Sequence, residues 1–287
     1  MSENNTVGEV AYDCSTWRPR NDRQNCVCGV ARQDITNRIY RPVPQHDHVT
    51  PPYFYRCGIC GTLSAVNLYF NVQSYSQVPI EAYCIPDPKR QLNRDRVNWI
   101  RVRGGTGFPH NPVVYDLGSG EGCFTACLLE AFPDARVVAV ESDERMKQRF
   151  AVEYERAQFV PELIETFLET AVRNPEADLI ILTDVLEHAL EPEALLRLIA
   201  GALKPSGFAY ITLPNADSYG TFPYHIPASE VDWNLANWTH QHLWMIKPRV
   251  LNDIINRTFV LREMSRTFET DIRRDGDYST FMVQRAC

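Results

Sequence analysis

Residues 113–122 read Val-Val-Tyr-Asp-Leu-Gly-Ser-Gly-Glu-Gly, and this stretch decides the fold class of the chain. Its first part is apolar and β-branched and ends in Asp116, which predicts a short buried strand. A turn with three glycines follows, at Gly118, Gly120 and Gly122, and leads into an amphipathic segment. Strand, glycine-rich turn and helix start form the ligand-binding unit of open α/β sheets, because glycine lets the backbone approach a ligand closely.

The spacing of the glycines narrows the choice of ligand. A dinucleotide fingerprint, G-x-G-x-x-G, would need a glycine where Cys123 stands, and an acid directly before the turn would repel a pyrophosphate. Asp116 instead suits an ammonium group, while the N-terminus of the following helix attracts a carboxylate. S-adenosylmethionine carries both groups, so we predict it as the cofactor. Its predicted contacts in this turn are Asp116, Gly118, Ser119, Gly120 and Gly122.

The next strand is predicted at 135–141 and brings an acid to the same edge. Glu141 lies about twenty residues beyond the glycine turn, where a carboxylate can accept hydrogen bonds from both ribose hydroxyls. Asp143 is a second candidate for this role, and Ser142 or Asp143 could instead cap the following helix. The predicted cofactor contacts therefore extend to Glu141, to Ser142 and to Thr183 at the end of a later strand.

From residue 113 onward, strand-like and helix-like segments alternate. Predicted strands cover 113–117, 135–141, 158–165, 178–183, 207–213, 259–264 and 278–285. Predicted helices cover 122–131, 143–155, 166–173, 191–203 and 247–257. Such alternation predicts an α/β fold, with a parallel sheet covered by helices on both faces. The last two strands are predicted to form an antiparallel hairpin at one edge.

Two cysteine pairs in the first part of the chain predict a zinc-ribbon-like domain. The pairs are Cys26-x-Cys28 and Cys57-x-x-Cys60, each followed by glycine, which permits tight knuckles with backbone N–H groups pointing at sulfur. The first pair is one residue shorter than the usual knuckle, so Cys14 is an alternative to Cys26. Reduced cysteines without metal are the other interpretation. Nine cysteines are an odd count in a chain without a visible export signal, so reduced thiols and a cytoplasmic location are expected.

The predicted strand at 178–183 leads to a second group of chemical residues, Asp184, Glu187 and His188. In a helix these three would share one face, and a later loop contributes His240. One interpretation makes His188 or His240 a general base, with Glu187 beside it. In another, Asp184, Glu187, His188 and His240 bind a second divalent metal that lowers the pKa of an acceptor oxygen. A structural role, in which Glu187 and His188 cap a helix and position the cofactor loop, is the third interpretation.

Several motifs resemble those of the class I S-adenosylmethionine-dependent methyltransferases. They are Asp116-x-Gly-x-Gly-x-Gly, Asp184-Val-Leu-Glu-His, Leu203-Lys-Pro-Ser-Gly and Leu213-Pro-Asn. The last three look like the group that includes the ubiquinone-pathway O-methyltransferases. The cysteine ribbon joined to this domain resembles sugar and natural-product C-methyltransferases, and the acid-x-x-Glu-His motif with a later histidine resembles small-RNA 2′-O-methyltransferases. The resemblance implies a Rossmann-like, seven-stranded methyltransferase sheet.

The composition is that of an ordinary soluble protein, with 44% hydrophobic and 23% charged residues. A net charge of −7 disfavours nucleic acid as a partner, and no apolar stretch approaches the roughly 20 residues of a membrane helix. The predicted organisation is a disordered tail (1–20), a zinc-ribbon-like domain (21–85), a helical linker (86–112) and an S-adenosylmethionine-binding domain (113–287).

The function expected from these patterns is methyl transfer to a small-molecule acceptor, at a hydroxyl of a sugar derivative or natural product. Three alternatives stay open: C-methylation of a sugar nucleotide, 2′-O-methylation of RNA, and a noncatalytic zinc-ribbon binding protein. The sequence does not indicate the oligomeric state.

Overall fold

The apolar segments of the sequence form one seven-stranded sheet with helices on both sides. The computed structural model describes residues 18–19, 26–29, 39–40, 54–65, 69–70, 87–214, 243–265 and 278–285. In chain order the strands are β1 (Arg18–Pro19), β2 (Ile39–Tyr40), β3 (Phe54–Arg56), β4 (Leu63–Ala65), β5 (Tyr69–Phe70), β6 (Val113–Leu117), β7 (Arg136–Val140), β8 (Ala157–Val160), β9 (Ala177–Thr183), β10 (Leu203–Pro214), β11 (Trp244–Met245), β12 (Phe259–Ser265) and β13 (Tyr278–Arg285). The helices are α1 (Asp87–Gly104), α2 (Cys123–Ala131), α3 (Met146–Glu153), α4 (Ile164–Ala171), α5 (Pro192–Ala202) and α6 (Pro248–Thr258), with single 3₁₀ turns at Gly105–Gly107 and Leu186–His188.

The strand order of the large sheet creates a crevice at its centre. The order is β12-β13-β10-β9-β6-β7-β8. Strands β10, β9, β6, β7 and β8 are parallel, whereas β13 is antiparallel to both of its neighbours. The chain runs outward from β6 to β8 and then returns to β9 on the other side of β6. Ligands of such sheets bind beyond the carboxyl ends of the strands where the order reverses.

Both faces of the sheet are buried, because consecutive residues of each strand point to opposite sides. Val114 belongs to the apolar cluster formed with α1, α2 and α3, and its neighbour Tyr115 belongs to the cluster formed with α4, α5 and α6. Leu179 and Ile180 of β9 divide in the same way. Burial on both faces explains why these strands read as unbroken apolar runs.

The predicted α/β class, the seven-stranded sheet and the antiparallel edge hairpin are confirmed. The predicted length of the third strand is wrong: β8 ends at Val160, since Pro161 has no N–H to donate and Ile164 already begins α4. The fifth strand starts earlier than expected, at Leu203. Its register becomes irregular just after that residue, where Ser206 has a positive φ of 65°.

Among the described residues, two small antiparallel sheets accompany the large one. Strands β1 and β5 pair with each other, and a four-stranded sheet has the order β11-β4-β3-β2. Strand β11 comes from the predicted methyltransferase domain (113–287), while the other three lie in the predicted ribbon (21–85). The two predicted domains therefore share a sheet, and their boundaries stay predictions. Within the described ranges, no helix combines the length and the apolar character that crossing a membrane requires.

Candidate active site

The glycine-rich turn after β6 is fastened to the end of β7. The N–H groups of Gly118 and Ser119 both donate hydrogen bonds to the carbonyl oxygen of Val140, at 2.9 and 3.0 Å. Gly122 closes the turn by donating to the carbonyl oxygen of Ser119 at 2.9 Å, and α2 begins at the next residue. The turn is therefore held in place by its own backbone and by the neighbouring strand.

Different structural constraints require glycine at the three glycine positions of this turn. All three have positive φ, but a Cβ atom on Gly118 would lie 2.5 Å from Val185 Cγ2, and one on Gly122 would lie 2.4 Å from Tyr154 Cε2. A Cβ on Gly120 would have no atom within 4 Å. Packing within the protein thus excludes side chains at Gly118 and Gly122, whereas Gly120 borders open space that a ligand can enter.

Glu141 is held beside that open space. Its Oε2 accepts a hydrogen bond from the Gly120 N–H at 3.0 Å, and its Oε1 accepts one from the Asp143 N–H at 3.0 Å and one from the Ser142 hydroxyl at 3.3 Å. The alternative acid, Asp143, is bound to the guanidinium of Arg145 at 2.5–3.0 Å, and this ion pair lowers the pKa of Asp143. Of the two acids, Glu141 is the one that contacts the glycine turn.

Asp116 lies beneath the turn rather than at its surface. It is 2% exposed and accepts a hydrogen bond from the Thr125 hydroxyl of α2 at 2.5 Å. Burial raises the pKa of Asp116 to about 6; the Thr125 hydrogen bond lowers it and the negative charge of Glu141 raises it further. The sequence did not single out Thr125, because it lies outside the motif and its position predicts only that it belongs to a helix.

The second chemical group is built on a strained turn after β9. Asp184 has a left-handed backbone with φ of 55°, and its N–H donates to the Thr212 carbonyl at 3.0 Å. A 3₁₀ turn, not an α-helix, then contains Glu187 and His188. The helix face expected to present Asp184, Glu187 and His188 together is therefore not formed, since a left-handed residue interrupts the helical path.

We call residues 186–189 the 186–189 turn. Glu187 and His188 in this turn differ in burial, and this difference separates their possible roles. Glu187 is 1% exposed, and burial together with the negative charge of Asp184 raises its pKa well above the usual range. The His188 side chain is 20% exposed, and its Nε2 lies 4.0 Å from a Glu187 carboxyl oxygen. His188 is thus the titratable side chain of this turn that solvent or an acceptor can reach. His240, the other predicted base, lies outside the described residues.

Hydroxyl groups form a row across three strands next to this turn. Thr212 of β10 is the register partner of Thr183 on β9 and of Thr280 on β13. The hydroxyl oxygens of Thr183 and Thr212 are buried and have no hydrogen-bond partner within the described part of the chain. Tyr210 lies two residues before Thr212 on β10. Burial raises the pKa of Tyr210, while the charge of Arg96 and the hydroxyl of Thr280 lower it. Sequence reasoning missed this row because its members are far apart along the chain.

The four predicted cysteines converge. The sulfur atoms of Cys26, Cys28, Cys57 and Cys60 all lie within 4.8 Å of one another. The Cys26–Cys60 and Cys28–Cys57 sulfur pairs are 3.6 and 3.8 Å apart, close to the roughly 3.8 Å edge of a tetrahedron with Zn–S bonds of about 2.3 Å. The alternative ligand, Cys14, lies outside the described residues.

The knuckles around these sulfurs have the expected backbone. Gly29 and Gly61 have φ of 88° and 77°, and each donates its N–H to the carbonyl of the first cysteine of its pair at 2.8 Å. The Thr62 N–H also points at the Cys60 sulfur, at 3.4 Å. A hydrogen bond between the two sulfurs lowers the pKa of Cys60 and raises that of Cys26. In the parts of the chain that the structure describes, no other group of three or more such side chains converges in this way.

A family model of a methyltransferase domain matches residues 90–258, which contain the glycine turn, Glu141 and the 186–189 turn. The chain belongs to the class I S-adenosylmethionine-dependent methyltransferases. This family assignment confirms the expected enzyme class. It does not specify the acceptor.

Individual relatives of this methyltransferase are distant. Ubiquinone biosynthesis O-methyltransferase of Serratia proteamaculans is 25% identical over 166 residues, which cover 57% of this chain and 67% of the relative. The plantazolicin methyltransferase BpumL has a TM-score of 0.55 at 13% identity, with 74% of this chain and 93% of that chain covered. Human N-acetylserotonin methyltransferase has a TM-score of 0.45 at 20% identity, and this chain spans only 48% of its length. The similarity to the plantazolicin methyltransferase concerns the fold alone.

The residues of this methyltransferase fit the cofactor of its class. Open space at Gly120 leaves room for a ligand, and the fixed Glu141 carboxylate lies at the carboxyl end of a parallel strand, the position from which an acid contacts ribose in dinucleotide-binding sheets. A buried Asp116 whose ionisation is costly favours a ligand that carries positive charge.

Replacing Asp116 with asparagine tests its electrostatic environment. A carboxyl whose pKa rises from 3.8 to about 6 on folding contributes stability below pH 4 that is lost as the pH rises through 6. Asparagine can still accept the Thr125 hydrogen bond but does not titrate. We therefore expect the unfolding free energy of Asp116→Asn, relative to wild type, to rise by about 2 kcal/mol between pH 4 and 7. Urea denaturation at several pH values measures this difference.

The control for this experiment is Asp253→Asn, the same substitution at an exposed position of α6. Its stability difference from wild type should change much less over the same pH range. A pH-independent difference for Asp116→Asn would contradict the buried environment of that carboxyl.

Proposed function

We propose that this methyltransferase transfers the methyl group of S-adenosylmethionine to a hydroxyl oxygen of a small-molecule acceptor. The single observation that carries the proposal is the Glu141 carboxylate fixed beside the open side of the glycine turn. When bound, the cofactor supplies an electrophilic methyl group on a positively charged sulfur. The residues proposed to hold it are Gly118, Ser119, Gly120, Gly122, Glu141, Ser142 and Thr183, with the buried Asp116 acting through its charge from beneath the turn.

The fixed position of Glu141 supports its proposed role in holding the ribose. Three donors orient the carboxylate before any ligand arrives, so little conformational entropy remains to be lost on binding. The turn that contacts Glu141 is itself bound to Val140, so the acid and the glycines keep a constant separation. Such preorganisation is what a cofactor site requires.

His188 is the proposed general base for the acceptor hydroxyl. The raised pKa of Glu187 means that this neighbouring carboxyl keeps its proton to higher pH and is poorly suited to accept another. Histidine can accept a proton near neutral pH, and His188 is the more exposed of the two side chains. The 186–189 turn, which contains His188, follows the carboxyl end of β9 beside the crevice of the sheet. His240 stays a second candidate for the base.

The hydroxyl row supports a polar acceptor. Thr183 lies half-buried at the carboxyl end of β9, and its hydroxyl oxygen has no hydrogen-bond partner within the described residues, so an acceptor with several hydroxyl groups could supply one. The O-methyltransferase named among the relatives is consistent with an oxygen acceptor. A sugar derivative or natural product with neighbouring hydroxyls is therefore the proposed substrate class, with C-methylation of a sugar nucleotide and 2′-O-methylation of RNA as the alternatives.

The four cysteines are proposed to bind one structural zinc ion. Their sulfur spacing matches a tetrahedral thiolate site, and strands of two or three residues have little core of their own. A catalytic divalent metal at Asp184, Glu187, His188 and His240 is a separate hypothesis. Its first three residues do not converge as the cysteines do.

Cofactor binding is tested with Glu141→Gln, which keeps the size of the side chain but removes its charge. Loss of a hydrogen bond to a charged group costs about 1.5–3 kcal/mol, so the Kd of S-adenosylhomocysteine should rise roughly tenfold to a hundredfold. Isothermal titration calorimetry measures the change. Glu144→Gln, an identical substitution at an exposed position three residues along the chain, should leave the Kd unchanged. Equal affinities of wild type and Glu141→Gln would refute the proposed site.

The acceptor is tested by incubating the enzyme and S-adenosylmethionine with a panel of catechols, sugars, sugar nucleotides and RNA. Mass spectrometry and NMR of the products identify the methylated atom. With an active acceptor, His188→Gln should lower kcat by about 10²–10⁴-fold without changing cofactor affinity, because only proton transfer is lost. The exposed His110→Gln is the control. A carbon-methylated product or methylated RNA would favour those alternatives, and tight cofactor binding without any product would favour a noncatalytic binding protein.

Zinc binding is tested by elemental analysis of protein purified without strong chelators. We expect about one zinc per chain, lost in Cys57→Ser because three thiolates bind the ion less tightly than four. Cys123→Ser, which changes a cysteine outside the cluster, should retain the metal. A wild-type chain free of zinc would overturn the proposal, while an additional divalent ion would support the metal mechanism at the 186–189 turn.

A further inference from the structure

Strand β11 joins the cysteine-bearing sheet to the methyltransferase sheet. Trp244 and Met245 are the antiparallel partners of Ser64 and Leu63 on β4. Strand β4 begins directly after the second cysteine knuckle. The N–H of Cys57 in that knuckle donates a hydrogen bond to the carbonyl oxygen of Thr62, the residue before β4, at 2.9 Å. The position of the knuckle and the position of β11 are therefore fixed relative to each other.

The same short segment also holds the 186–189 turn. The N–H of Leu243 donates to the Glu187 carbonyl at 2.8 Å, and Trp244 Nε1–H donates to the Ala189 carbonyl at 2.9 Å. Leu243 and Trp244 are 0% and 3% exposed, so water does not replace these bonds easily. The two accepting carbonyls flank His188, which itself donates its N–H to the Val185 carbonyl at 2.9 Å.

Apolar packing strengthens the connection. Cys26, Cys57 and Cys60 belong to the same buried cluster as Leu186 and Ala189 of the turn. The second knuckle also touches the segment after β11, because a Cβ on Gly61 would lie 3.1 Å from the side chain of Lys247. The cysteine cluster and the 186–189 turn thus share one core.

The 186–189 turn needs this outside support. It is a single 3₁₀ turn that follows the left-handed Asp184, and isolated 3₁₀ turns have poor hydrogen-bond geometry. The supporting sheet is made of strands of two and three residues, which are too short to be stable without a further constraint. A metal bound by the four thiolates would supply that constraint.

We propose that the metal-loaded cysteine sheet positions the 186–189 turn through Leu243 and Trp244, so that zinc controls the placement of His188. Trp244 is the positioning residue of this connection. The inference rests on the proposed function for the role of His188 and on the proposed zinc for the constraint. The hydrogen bonds that carry it are independent of both.

Hydrogen exchange measured by NMR tests the connection without cofactor or acceptor. In zinc-loaded Trp244→Phe, the His188 and Leu243 amides should exchange about tenfold faster than in wild type, the factor expected for one ordinary hydrogen bond. The amides of Gly118 and Ser119, which are bonded to Val140, should not change. The imidazole signal of His188 should shift or broaden, whereas that of the exposed His110 should stay constant.

A matched variant separates positioning from general loss of stability. Trp99→Phe changes another tryptophan, which packs against Tyr210 on the opposite side of the sheet, and should leave the His188 amide and imidazole signals unchanged. If Trp244→Phe does not fold, the same signals are compared in wild type before and after zinc is removed with a chelator. Removal should then speed exchange at His188 and Leu243 but not at Gly118.

The outcomes distinguish the separate hypotheses. Unchanged exchange at His188 in both Trp244→Phe and zinc-depleted wild type would overturn the inference, even if zinc binds. Uniformly faster exchange at His188 and Gly118 would overturn it as well, because it would mean general unfolding. Failure of the Glu141→Gln or acceptor experiments would refute the proposed function and leave the exchange result intact.

Discussion

The glycine-rich turn depends on one hydrogen-bond acceptor, the carbonyl oxygen of Val140. It accepts the N–H groups of Gly118 and Ser119, and the next residue, Glu141, accepts the N–H of Gly120. Three consecutive donors of the turn are thus satisfied by the end of one neighbouring strand. The parallel pairing of Leu117 with Val140 sets this geometry. A shift in the register of β6 against β7 would separate the acid from the glycines that it contacts.

Buried acids give the crevice its electrostatic character. Asp116 and Glu187 both have pKa values raised chiefly by burial, and in each case a second carboxyl, Glu141 or Asp184, adds to the shift. Negative charge at such sites is costly in the ligand-free protein, and a cation nearby reduces that cost. The proposed sulfonium cofactor, which also carries an ammonium group, would supply such a cation. Perturbed carboxyl groups of this kind are frequent at functional sites.

Local patterns in the sequence were sufficient for the large sheet and for the placement of some candidate site residues. Buried parallel strands produce apolar β-branched runs, and Glu141 could be selected because it ends such a run at the correct distance from the glycine turn. The cysteine spacing likewise indicated the four residues that converge. The end of the third strand was misplaced because apolar residues continue beyond Pro161 into α4, where the pattern of an amphipathic helix resembles that of a strand over a few residues.

Contacts between segments that are far apart in the sequence could not be predicted from local patterns. The left-handed backbone of Asp184 depends on its bond to Thr212 and could not be inferred from a motif that reads as a helix start. The pairing of Trp244 with Ser64 joins two-residue and three-residue strands that carry no recognisable periodicity. The row of Thr183, Thr212 and Thr280 exists only because the sheet brings three strand ends together.

The cysteine ribbon and the methyltransferase domain share one small sheet. A ribbon that served only to bind another protein would form its sheet from its own residues, whereas this one uses β11, which lies within residues 90–258 of the family match. Its sulfur atoms face the core that contains Leu186 and Ala189, and the tip residue Ile59 faces solvent. The inward face of the ribbon is thus committed to the methyltransferase fold. In the part of the ribbon that the structure describes, the exposed Ile59 marks the opposite, outer face.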